Sequence, residues 1–211
     1  MTSDKKIGFK QRVPAVAFAD CLREFMPELS IDSARVTEIL AGYFSGDYAR
    51  HRSMLHITAC LNNPDIAQLL TENKAEIISS LGNQQEAFSF CFALLCARYS
   101  FCYDIAAELA KLFRLQDVVS KELLSKHISN KYGFNENVKR TMERFLAFCE
   151  EAQIIKRPTK ASYEMATIHK PTTETLIELW KKVYSQNEPL ATNDDISELQ
   201  FEPFFRYLKL L

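Results

Sequence analysis

Residues 118–170 read VVSKELLSKHISNKYGFNENVKRTMERFLAFCEEAQIIKRPTKASYEMATIHK, and the change of periodicity along them decides the fold. Leu123, Leu124 and Ile128 point inward on a predicted helix from about Val118 to Lys131. Tyr132-Gly133-Phe134 predicts a tight turn, since glycine enters positive φ without a Cβ clash. Asn135 suits the N-cap of a second helix, because its short side chain can accept a hydrogen bond from the first free N–H groups. Along that helix Val138, Met142, Phe145, Leu146 and Cys149 fall on one face, which leaves Asn137, Lys139, Arg140, Glu143 and Arg144 outside it. The period then shortens. Ile154-Ile155 reads as a strand start, and Lys156 to Lys160 as a basic turn whose Pro158 excludes central-strand pairing. Tyr163, Met165 and Thr167 alternate with Ser162, Glu164 and Ala166, a strand signal.

Upstream the pattern is helical almost throughout. Pro14 opens a helix, Pro27 closes it, Asp32 or Ser33 caps the next, and Asn63-Pro64 starts another. The run Ala87 to Tyr103 is apolar on all sides and reads as one central helix; it contains Arg98 and falls short of the ~20 residues of a membrane span. Its aromatic residues Phe88, Phe90, Phe92, Tyr99, Phe101 and Tyr103 read as core. The expected architecture is mainly α: an N-terminal helical bundle over 1–115, then 116–185 with the helix pair, a small two-stranded β-ribbon and a helix from Pro171 to Tyr184. A polar linker with the Asn193-Asp194-Asp195 cluster and an apolar C-terminal segment fill 186–211. In that segment residues 199–211 carry too many apolar groups for a free tail, so they either pack on their own chain or hold a protein partner or second copy.

Charge is balanced overall, 26 basic against 27 acidic residues, which excludes a protein that coats nucleic acid by global charge. Locally it is not: residues 111–160 hold 11 basic and 6 acidic residues, while the flanks are each net −3. The polar start, with Lys5, Lys6, Lys10 and Arg12, reads as a mobile arm and has no apolar signal core. The expectation is therefore a cytoplasmic protein whose six cysteines stay reduced and serve as small core hydrophobes.

Helix, turn, helix and ribbon, in the order found over 118–170, resembles a winged helix, and EEAQII resembles the passage from a recognition helix to a wing. That resemblance implies double-stranded DNA as partner. The second helix would lie in a major groove, Asn135 and Asn137 reaching phosphates or adenine edges. Lys139, Arg140 and Arg144 would neutralise phosphates or read guanine, and Lys156, Arg157 and Lys160 on the wing would enter the minor groove or grip the backbone. Winged helices also serve as protein-interaction modules, and Glu136, Glu143, Glu150 and Glu151 dilute the positive face. NVKRTMERFLAFCEEAQII, followed by IHKPTTETLIELW, further resembles the BrxA family of bacteriophage-exclusion (BREX) systems, which implies a small DNA-binding accessory of antiviral defence.

Signals for chemistry are few. His56 and Cys60 share a helical face near His51, yet no third ligand sits at useful spacing, so no metal and no cofactor are expected. No Gly-rich phosphate loop, H-E-x-x-H or G-x-S-x-G occurs, and the expectation is a non-enzymatic protein. Asp104 and Glu108 read as a solvated face, and His127 as surface polar.

Overall fold

The computed structural model describes residues 7–166, 168–191 and 195–210. Lys5, Lys6, Thr167, the Asn193-Asp194 pair and Leu211 lie outside the described residues. The chain is mainly helical with a small antiparallel sheet. From the N-terminal side come α1 (Ala15–Phe25), α2 (Ser33–Ala41), α3 (Asp47–Leu61), α4 (Pro64–Glu72) and α5 (Lys74–Ser80). Asp32 and Asn63 cap α2 and α4 by accepting backbone N–H groups, as their sequence positions suggest.

The long apolar run is two helices rather than one. α6 (Gln84–Arg98) and α7 (Ser100–Phe113) meet at 117°, and extended backbone at Tyr99 makes the bend. No single helix among the described residues is long and apolar enough to cross a membrane. The bend sets the Tyr99 ring against Phe9 and His56. Residues 7–13 are therefore docked rather than mobile: Phe9 and Val13 are fully buried, and Arg12 pairs with Glu151.

β1 (Val118–Ser120) follows, where a helix was expected to begin. Its residues pair with β3 (Ser162–Met165), Val119 opposite Tyr163 and Ser120 opposite Ser162. The sheet is thus three-stranded, in the order β1-β3-β2, instead of a two-stranded ribbon. β2 (Ile155–Thr159) is an edge strand, and its register shifts between Lys156 and Thr159, around Pro158. Most of the expected basic turn is consequently strand, with the reversal at Lys160-Ala161. Between β1 and β2 lie α8 (Lys121–Tyr132) and α9 (Glu136–Glu151).

After β3 comes α10 (Glu174–Asn187), whose Trp180 stacks on Phe92 of α6 at 5.1 Å. A short α11 (Ile196–Leu199) and a 3-10 turn (Pro203–Tyr207) bring Phe204 onto the same ring at 6.0 Å. Leu199, Phe204, Phe205, Tyr207 and Leu208 are buried within their own chain, and Phe201 is left outside. Asp104 and Glu108 are not a solvated face. Asp104 is buried and accepts from Lys131 Nζ at 2.7 Å and from the Tyr132 hydroxyl. Glu108 bonds His127 Nδ1 at 2.7 Å, so the two carboxylates of α7 clamp the second half of α8.

His56 holds the N-terminal segment. Its Nε2 accepts from the Lys10 N–H at 3.2 Å, so Nδ1 carries the proton and donates to the Tyr99 hydroxyl at 2.7 Å. Burial pushes the imidazole pKa down from 6.5 to about 4, and the cations Arg52 and Arg144 push the same way. The folded chain resists a proton that the unfolded chain accepts. Stability is therefore full above pH 6.5 and falls as pH drops toward 4, by about 3 kcal/mol over that interval. Urea midpoints measured across the window should fall less steeply in His56→Gln; an equal slope would remove His56 as the cause.

Candidate nucleic-acid interface

α8 and α9 are joined by Gly133, Phe134 and Asn135. Gly133 sits at φ 88° and donates its N–H to Ser129 O at 2.7 Å, a positive-φ helix end that L side chains rarely adopt. Asn135 then restarts the chain, its Oδ1 accepting from the Val138 N–H at 3.0 Å. Between them Phe134 is thrown outward and is 78% exposed.

On α9, Val138, Met142, Phe145, Leu146 and Cys149 are all buried, joined by Thr141 and Phe148. At 100° per residue the opposite ridge is Glu136, Arg140, Glu143, Ala147 and Glu150. It is a carboxylate ridge. Arg140 is paired to Glu136 at 3.0 Å, and Glu143 to Lys121 of α8 at 2.5 Å. Lys139 leaves the ridge on the α8 flank, while Asn137 and Arg144 leave on the other, where Arg144 and Arg52 act on the His56 imidazole.

The β2–β3 turn is short and tied down. The Lys121 N–H donates to Ala161 O at 2.8 Å, and the Thr159 and Ser162 hydroxyls are 2.7 Å apart. This seats the turn beside the start of α8. Arg157 lies over the Tyr163 ring at 5.5 Å, donates to its hydroxyl at 3.2 Å and stands 4.0 Å from Glu150. Lys156 is exposed beside a separate recess shared with Glu150 and Gln153.

What converges is a different set. Lys126 of α8, Lys139 of α9 and Lys160 of the turn surround an open groove of ≈ 670 Å³, with Phe134 in its wall. Among the described residues no ion pair engages these three ammonium groups. Lys121, already paired, and the hydroxyls of Ser125 and Ser129 complete the polar lining, and Glu122 is the one carboxylate in it.

The eight sequence-predicted contacts are therefore sorted rather than gathered. Lys139 and Lys160 share the groove. Asn135 is used as a cap, Arg140 and Arg157 are held by partners, Lys156 faces another recess, and Asn137 and Arg144 lie on the far flank. Lys126 and Phe134, which line the same groove, are not among the eight. The signal available for Phe134 was its position directly after the positive-φ glycine, where the helix faces that would bury it have ended.

Among the described residues no His, Cys, Asp or Glu group is arranged to hold a metal ion, and His56 is used by Lys10 and Tyr99 instead. All six cysteines are unbridged and buried; burial pushes the Cys21 thiol up to about 12, away from the reactive thiolate. No family model, curated protein or solved structure matches the chain.

A capping role for Asn135 has a measurable signature. Asn135→Ala should cost about 1 kcal/mol in denaturant unfolding, and Asn135→Ser much less, since serine also caps. Equal losses in both would separate Asn135 from the cap.

Proposed function

We propose that this chain is a non-enzymatic nucleic-acid-binding protein that grips a phosphodiester backbone in the groove between α8, α9 and the β2–β3 turn. The observation that carries the reading is the convergence of Lys126, Lys139 and Lys160 on one open groove with no carboxylate bound to any of them among the described residues. Unpaired ammonium groups facing one groove give it a positive potential that attracts a polyanion, which releases its own counterions on binding. Lysine suits this task, as a flexible point charge without the planar fork that reads guanine.

In this reading α7 to β3 form a winged helix with an unusually short wing, and DNA is the polymer held. The setting in phage exclusion rests on the resemblance to BrxA proteins and not on the groove. The carboxylate ridge of α9 favours a second reading, an adaptor that uses the same elements to hold a protein.

The test is the full chain against a labelled duplex carrying a single-stranded tail, titrated at several salt concentrations. Lys126→Glu, Lys139→Glu and Lys160→Glu together should abolish binding at moderate salt with the helical circular dichroism intact. The milder triple glutamine variant should lower the slope of log affinity against log salt by about 2 to 3, one increment per phosphate contact. An unchanged slope and affinity would overturn the assignment, and binding of an acidic peptide in place of DNA would move the groove to the adaptor reading.

A further inference from the structure

Resting on the nucleic-acid reading, we infer that the groove takes a single-stranded segment, with one unpaired base stacked on Phe134 and the flanking phosphates on Lys126, Lys139 and Lys160. Four features of the surface lead there. First, the outer ridge of α9 presents Glu136, Glu143 and Glu150, and its Arg140 is already paired. Lys121 and Arg157 offset the other two carboxylates, so the ridge brings no spare positive charge to a major groove about 12 Å wide with phosphates along both walls. Second, the β2–β3 turn is bound to the start of α8 through Ala161 O, so it offers no projecting finger for the adjacent minor groove.

Third, the site is an open groove of ≈ 670 Å³, room for one or two nucleotides of a strand laid along it. Fourth, Phe134 is 78% exposed although a phenylalanine gains from being covered, and it stands in the wall of the same groove as the unpaired lysines. An aromatic face among ammonium groups matches the alternation of base and phosphate in a single strand. A base in a duplex has no free face to give it.

The geometry of the turn keeps that face available. Gly133 ends α8 at positive φ and Asn135 caps α9, so Phe134 is fixed at both sides with no helix face to fold onto.

The experiment uses the full chain and fluorescence anisotropy with three labelled probes of equal length. They are an oligothymidine of about twelve nucleotides, within the ~4–16 of one single-strand site, the matching oligouridine, and a blunt hairpin duplex. The single strands should bind at least roughly tenfold more tightly than the duplex, and the two single strands distinguish DNA from RNA as the natural polymer. Phe134→Ala should weaken single-strand binding by roughly five- to a hundredfold, the size of one base–aromatic stack, while Phe134→Trp preserves it and neither changes duplex binding. Because Phe134 is exposed, both variants should melt like the parent.

Equal affinity for duplex and single strand, or a silent Phe134→Ala, would overturn this inference. If the triple lysine variant still lost binding in that case, the proposed function would stand without it. No binding to any of the three probes would overturn both, and so would tighter binding of a glutamate–tyrosine copolymer than of any nucleic acid.

Discussion

Phe92 lies in the middle of α6, a helix apolar around its whole circumference, and such a helix needs protein on every side. The ring is met by Phe145 of α9 at 5.8 Å, Trp180 of α10 at 5.1 Å, Phe204 at 6.0 Å and Tyr207 at 5.6 Å. α1 and α3 cover other sides of the same helix. One side chain thus ties α10 and the C-terminal turn to α9, and the buried side chains from Phe9 to Leu208 form a continuous core. Since Phe145 must face Phe92, the rotation of α9 about its axis is fixed. Its carboxylate ridge then has to face outward and Lys139 has to turn toward α8. The candidate interface is in this sense a consequence of packing on its far side.

A buried charge reinforces the arrangement. Glu86, in the first turn of α6, is wholly buried and accepts from the Thr172 N–H at 3.1 Å, the Thr173 hydroxyl at 2.9 Å and His169 Nε2 at 2.6 Å. Burial pushes its pKa up, but these donors outweigh it and leave the carboxyl below its ordinary range. A carboxylate with its lone pairs so occupied is costly to strand, since removing a donor leaves a bare buried charge. It therefore anchors the connection from β3 to α10, and through β3 the whole sheet.

Local signals in the sequence were sufficient where structure is decided within a few residues. The buried face of α9, the positive-φ Gly133 and the Asn135 cap all follow from spacing and side-chain chemistry, and all are present in the structure. Distant partners decided the rest. Val118 to Ser120 is a strand only because Ser162 to Glu164 lies alongside, and three residues carry too little alternation to announce it. The bend at Tyr99 packs on Phe9 and His56, 90 and 43 residues away in sequence. Asp104 and Glu108 looked solvated because their neighbours in sequence do not reveal that α8 lies across them.

The same distinction explains which cations remain available. The Arg140–Glu136 pair was legible at i, i+4 spacing, a surface contact worth only ~0.3–0.5 kcal/mol but enough to place a carboxylate beside the charge. Arg157 was not legible in this way, since Tyr163 and Glu150 reach it through the sheet. Both arginines thus have a partner beside them, whereas the three groove lysines have no ion pair among the described residues. A groove lined by point charges rather than forked donors can attract a phosphate chain, but it has little means of reading a base sequence by hydrogen bonds. If the groove holds a single strand as proposed, its selectivity comes from shape and from the exposed ring of Phe134, since an aromatic face stacks on an open base rather than a paired one and hardly distinguishes one base from another.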